Sequence, residues 1–232
     1  MTRETVRCDR MEVIPGIHEI DTTAARSYLV VGDQLILIDT GMTGNARKIL
    51  DYVKNVLNRD PTDIKTIIIT HHHFDHIGSL DKLKKLTGAK IAVHKEDLGY
   101  VSGRKSQTGP VFFKFVVKLF KIISRYKPAE PNIILKDGDQ IGNYHVIHTP
   151  GHTPGSICLY NPQNKTIFVG DNLKHVKGKI EGPGPRLLPE PEKYKESMEK
   201  LANLDIEVIF CGHTNPIISH ASEKLREYLK TL

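Results

Sequence analysis

Tryptophan is absent from the 232 residues, cysteine occurs three times, and aromatic residues make up only 6%. Cys8, Cys158 and Cys211 are far apart, odd in number and in no C-x-x-C pair. A disulfide framework is therefore not expected, and a reducing, cytoplasmic setting is. No apolar run approaches the roughly 18 residues of a membrane span, and the polar stretch from Met1 to Arg10 lacks a signal-peptide core, so no membrane partner is expected. Blocks of five or six like charges are missing too. The 33 Lys and Arg against 27 Asp and Glu give a net charge of +6, but they are spread along the chain. That spread reads as a mildly basic surface, and nucleic acid is not an expected partner. With 39% hydrophobic and 26% charged residues, a disordered chain is excluded.

What the chain has in abundance is histidine: 12 residues, of which His71, His72, His73 and His76 fall within one short stretch. Around it, hydrophobic alternation predicts strands over 17–20, 27–31 and 35–39, with Gly32-Asp33 as a tight hairpin turn. A helix is predicted over 45–57, with Ile49, Leu50, Val53 and Leu57 on one face. The run Ile67-Ile68-Ile69 reads as a fully buried strand that feeds straight into the histidines, followed by a helix over 79–86 and a strand at 91–93. The second half repeats the style, with strands at 144–148, 157–160, 166–169 and 207–210 and helices at 192–204 and 222–229. No Ser/Gly linker divides the chain, so one α/β domain spanning 1–232 is expected. Four prolines should make 182–191 an extended, stiff loop.

One segment stands apart. Residues 110–126 hold four of the seven Phe, and on a helical wheel Lys114, Lys118, Lys121 and Arg125 form a narrow stripe in an otherwise apolar circumference. The region around 103–130 is read as an apolar-basic helical insertion, serving as core, pocket wall or subunit contact, and a homodimer is one expectation from it.

The chemistry lies in Thr70-His71-His72-His73-Phe74-Asp75-His76. In an extended backbone His71 and His73 point to the same side and can grip one cation, while Asp75 and His76 turn away and can serve a second. Chance would produce H-x-H-x-D-H in roughly 0.002 of shuffled chains of this composition. Two cations need further ligands, and imidazole with carboxylate suits zinc or iron. His152 in P-G-H-T-P-G-S, Asp171 in G-D and His213 in C-G-H each follow a predicted strand. His72 should face away from its neighbours, towards solvent or an outer layer. His18, His94, His145, His148 and His220 read as packing or surface, and Cys211 as a buried structural thiol. His175 is the one further histidine considered for a substrate-facing place.

In this order, with Asp39-Thr40-Gly41 ahead of them, these motifs resemble those of the metallo-β-lactamase-fold hydrolases, over nearly the whole chain from about Glu12. The resemblance implies an αββα sandwich of two mixed sheets with helices outside and the site at one edge. It implies that His71, His73 and His152 hold a first metal, that Asp75, His76 and His213 hold a second, and that Asp171 bridges them. Asp39 would orient the ligand loop from behind. Two divalent ions, zinc foremost with iron or manganese as alternatives, would share a water whose pKa falls from 15.7 towards about 7, giving a hydroxide that attacks a carbonyl. Asp75 would also shuttle the proton to the leaving group.

The ligand set resembles glyoxalase II and the lactonases more than the true β-lactamases. The expected activity is hydrolysis of a small-molecule ester, thioester, lactone or lactam. The lactonases place a Tyr three residues beyond the bridging Asp, where this chain has Lys174. Persulfide dioxygenases with a single iron keep the same motif, and nucleases share the fold, so both are alternatives.

Overall fold

The computed structural model describes residues 12–106 and 126–232. Strands β1 (Glu12–Ile14), β2 (Ile17–Ile20), β3 (Ser27–Val31), β4 (Leu35–Ile38), β5 (Ile64–Ile68), β6 (Lys90–His94) and β7 (Ile133–Leu135) form a seven-stranded sheet in chain order. β1 to β4 run antiparallel and β4 to β7 parallel. The second sheet contains β8 (Gln140–Ile141), β9 (Tyr144–His148), β10 (Ile157–Asn161), β11 (Thr166–Gly170) and β14 (Val208–Cys211), ordered β14-β11-β10-β9-β8. Only β11 and β14 are parallel in it. β12 (Lys174–Val176) and β13 (Lys179–Glu181) make a separate ribbon.

The apolar runs are continuous because both faces of the central strands are covered. In β5 and just beyond, Ile67 and Ile69 enter one core while Ile68 enters another. In β11, Ile167 and Val169 face outward and Phe168 faces the opposite sheet. The inter-sheet layer holds Ile17, Tyr28, Ile38, Ile68, Val146, Leu159, Phe168 and Phe210. Outside the first sheet lie α1 (Ala46–Asn55) and α3 (Leu80–Thr87), outside the second α5 (Pro191–Ala202) and α6 (Ala221–Leu229). The layers are therefore helix, sheet, sheet, helix, as expected.

Sequence ranges and observed elements differ mainly at ends. α1 is shorter than the predicted 45–57, and α3 ends at Gly88, whose φ of 72° takes the left-handed conformation that stops a helix. α5 begins on Pro191, where its missing N–H costs nothing. The hairpin between β3 and β4 pairs Val31 with Leu35, so its loop holds three residues and not two. The stretch 182–191 is not uniformly extended, because Pro185–Leu187 closes a 3-10 turn. Sequence patterning missed β1, β7, β8, β12, β13, α2 (Phe74–Ile77) and α4 (Leu98–Val101), all too short for a period to register. The helix expected over 111–126 lies outside the described residues except for Tyr126, which packs against Phe74.

Five strand ends converge on one edge. Asp39 follows β4, Thr70 and His71 follow β5, Thr149 follows β9, Asp171 follows β11 and Gly212 follows β14. Backbone bonds tie these ends across the sandwich: Ile157 N–H donates to Thr70 O at 3.0 Å, and Arg26 N–H to Gly212 O at 2.7 Å.

Candidate metal centre

At that edge the side chains of His71, His73, His152 and Asp171 form one group, and those of Asp75, His76 and His213 another. Within each group, one donor atom per residue lies within 4.8 Å of the others. All seven residues singled out as candidate ligands in the sequence are thus brought together, in the two groups that the resemblance implies. α2 gives the two groups a local origin: after His73 the chain enters a helical turn, so Asp75 and His76 no longer follow the strand alternation that sets His71 and His73.

Asp171 stands between the groups. Its Oδ2 is 3.8 Å from His71 Nε2 and 3.5 Å from His152 Nε2. Its Oδ1 is 3.1 Å from both His76 Nε2 and His213 Nε2. Gly212 permits this approach, because a Cβ there would stand 2.6 Å from Asp171 Oδ1.

Behind the groups, polar atoms fix the imidazoles by their other nitrogen. His76 Nδ1 lies 2.7 Å from Asp39 Oδ2, and His71 Nδ1 lies 3.1 Å from Thr70 Oγ1, which itself donates to Asp39 at 2.7 Å. Thr70 N–H donates to the other Asp39 oxygen at 2.9 Å. His152 Nδ1 meets Leu187 O at 2.8 Å, and His213 Nδ1 meets Ala24 O at 3.2 Å. With Nδ1 occupied, Nε2 of His71 and of His152 is left facing the centre as a free lone pair. His71 Nε2 and His152 Nε2 are buried and make no hydrogen bond. Buried lone pairs of this kind are costly unless something satisfies them, and a cation fits.

The electrostatics agree. Burial, reinforced by His76, pushes His71 well below the ordinary imidazole range. Burial and His152 take His73 down to about 3, so both stay neutral at pH 7. Burial opposes charge on His76, but the carboxylates of Asp171 and Asp39 outweigh it and push the group up. His213 is likewise raised to about 9, against burial, by its hydrogen bonds with Asp171 and Asp75. Burial would raise Asp75, yet the bond with His213 brings it down to about 2. Without a cation, protons on His76 and His213 sit among the carboxylates of Asp39, Asp75 and Asp171, and a cation would displace them.

Other sequence candidates take clear positions. His72 does not face solvent: it is fully buried, stacked on Tyr100 at 4.1 Å and 3.0 Å from Asp97. Cys211 is buried, and burial pushes its thiol up to about 12. His175 lines an open cavity of about 420 Å³ with Arg26, Lys177, Thr214, Asn215 and His213. Sequence reading missed Thr70, Asp97 and the carbonyls of Leu187 and Ala24. Thr70 and Asp97 carried no spacing signal, and a carbonyl carries none by nature.

The chain belongs to the metallo-β-lactamase superfamily, whose family model matches residues 20–213. A probable metallo-hydrolase of Bacillus subtilis (strain 168), YflN, is 27% identical, with 89% of this chain and 86% of that one covered. Among solved structures, the metallo-β-lactamase family protein TTHA1429 of Thermus thermophilus superposes with a TM-score of 0.70 at 24% identity, over 94% of this chain and 80% of its own. The class B3 di-zinc metallo-β-lactamase LRA-12 from an Alaskan soil metagenome gives 0.68 at 21% identity, over 94% and 88%. The protein is a metallo-hydrolase superfamily member with a His/Asp cluster suited to metal.

Proposed function

We propose that the chain is a dinuclear metal-dependent hydrolase of small carboxyl esters, thioesters, lactones or lactams, with zinc as the preferred ion. The observation that carries the reading is the position of Asp171 between the groups, with Oδ2 towards His71 and His152, Oδ1 towards His76, and both oxygens within 3.2 Å of His213 Nε2. His71, His73 and His152 would hold the first ion, Asp75, His76 and His213 the second, and Asp171 both. The di-zinc LRA-12 enzyme shares the fold and lends support to two ions. Bound there, divalent ions would supply Lewis acidity towards a carbonyl oxygen and a water acidified towards a pKa of about 7.

The chain's own residues supply the rest. Asp39 and Thr70 hold His71 and His76 in fixed orientations, so little rearrangement accompanies turnover. Asp75 and His213 are partly open, with side chains 29% and 28% exposed, as is His73, and substrate would approach over these residues. Asp75, ionised at neutral pH, can take a proton on a carboxylate oxygen and hand it to the leaving group.

Elemental analysis of the purified protein should find two divalent ions per chain, and an ester, thioester, lactone and lactam panel should find turnover. Asp171→Ala should lose metal and nearly all hydrolysis while its circular dichroism stays native. A single tightly held iron with oxygen consumption, or Asp171→Ala activity within a few-fold of wild type, would overturn the reading.

A further inference from the structure

The two loops that bring the first three histidines together come from different sheets. Thr70 to His73 follow β5 in the first, and Thr149 to Ser156 join β9 to β10 in the second. Asp97, between β6 and α4, touches both and is completely buried. Its Oδ2 accepts from His72 N–H at 2.8 Å and from Thr153 Oγ1 at 3.0 Å, with His72 Nδ1 at 3.0 Å. Its Oδ1 accepts from Gly155 N–H at 2.8 Å. The approach is close enough that a Cβ on residue 155 would stand 2.6 Å from Asp97 Cγ. His72 is the residue between His71 and His73, and Thr153 is the neighbour of His152.

We propose that Asp97 is a positioning residue of the metal centre: it clamps the His71–His73 loop to the His152 loop at the separation that lets three imidazoles face one cation. The proposal rests on the metal-centre reading above. The carboxylate bonds to the neighbours of the ligands and acts on the ligand rings through them. Burial opposes its ionisation, but the hydrogen bonds from His72 and Thr153 prevail and keep the carboxyl below its ordinary range. An ionised carboxylate with several donors forms shorter and stronger bonds than a neutral amide would. The arrangement also gives His72 a purpose, since its ring is wedged between Asp97 and Tyr100 of α4 and its backbone N–H anchors the loop. The second group, Asp75, His76 and His213, lies beyond the clamp and is held by Asp39 and Ala24 instead.

The test separates the two groups. In an Asp75→Ala/His213→Ala background the three-histidine group alone keeps its full set. In a His152→Ala background the other group does. Zinc affinity is measured in each by competition with a chromophoric chelator, with and without Asp97→Asn, alongside thermal unfolding of the metal-free proteins. Asp97→Asn is expected to weaken zinc at the three-histidine group by about 10–100-fold, as loss of an outer partner does, and to leave the other group's affinity unchanged. Thr153→Val removes one of the donors and keeps the carboxylate. It should give a smaller loss in the same background, and it decides the matter where Asp97→Asn does not fold. A purely structural carboxylate would lower the metal-free melting temperature and leave both affinities alone, or lower both equally, and either result overturns the proposal. Should the otherwise unaltered chain bind no zinc, the metal-centre reading itself fails, which is a different result from equal affinities with and without Asp97.

Discussion

Asp39 Oδ2 stands 2.7 Å from His76 Nδ1 and accepts the Thr70 hydroxyl at 2.7 Å, and that hydroxyl lies 3.1 Å from His71 Nδ1. One carboxylate thereby orients a histidine from each of the two ligand groups. It does so from a backbone φ of 55°, a left-handed conformation that Asp tolerates better than most residues. The backbone at this residue is bent so that its carboxylate can turn back under the ligand loop.

Asp39→Asn should therefore weaken both groups together. With the amide oxygen placed to accept from Thr70 N–H, the amide nitrogen takes the place of Oδ2 and can accept neither from His76 nor from the Thr70 hydroxyl. Metal affinity and hydrolysis are expected to fall by about 10–100-fold, with Asp39→Ala lower still. Chelator competition and initial rates check this, and loss at only one of the two groups would contradict the shared role.

Stability should also depend on acid through a group away from the ligands. His94 is buried beneath the ring of His148, 3.9 Å away, and burial with that neighbour takes it from 6.5 down to about 4. The fold prefers the neutral ring, so its contribution is complete above about pH 6.5. Between about pH 6.5 and 4 the unfolded chain takes up a proton that the folded chain refuses, and stability falls. His94→Gln should show a shallower decline across that window and no change in slope at higher pH. Urea unfolding at stepped pH measures it, and an equal or steeper decline would sink the idea.

Phe168 is the centre of the inter-sheet layer, stacked on Phe210 at 4.6 Å and packed against Tyr28 and Tyr144 at 5.3 and 5.6 Å. Phe168→Ala should cost about 3–5 kcal/mol, because the rings around it cannot all collapse into the void. Its metal content should match wild type once folded, since none of these rings belongs to either ligand group. Denaturant titration and elemental analysis of the same sample give both readings.

How much of this was legible beforehand differs by element. The strand at β5 was visible because Ile67, Ile68 and Ile69 form an unbroken apolar run, the mark of a strand covered on both faces. β12 and β13 were not, because three-residue strands with half-exposed faces carry no period. The seven candidate ligands were legible because histidine and aspartate at H-x-H-x-D-H spacing, with single residues behind later strands, are rare combinations. Part of their division was legible as well, since alternation after a strand sends His71 and His73 one way; the places of His152, His213 and Asp171 came only from the resemblance.

The outer layer was another matter. Asp97 sits in an unremarkable Glu96-Asp97-Leu98 stretch, Thr70 reads as the last residue of a strand, and the Leu187 and Ala24 carbonyls have no side-chain identity at all. The sequence alone determined which residues are candidates to hold metal and which strands present them, because residue type and local periodicity are properties of short segments. Only the tertiary structure decided that Asp171 faces both groups, that His72 turns inward onto Asp97, and that loops from opposite sheets are clamped together. Those relations depend on the register between strands and the packing of two sheets, and neither is written in any segment by itself.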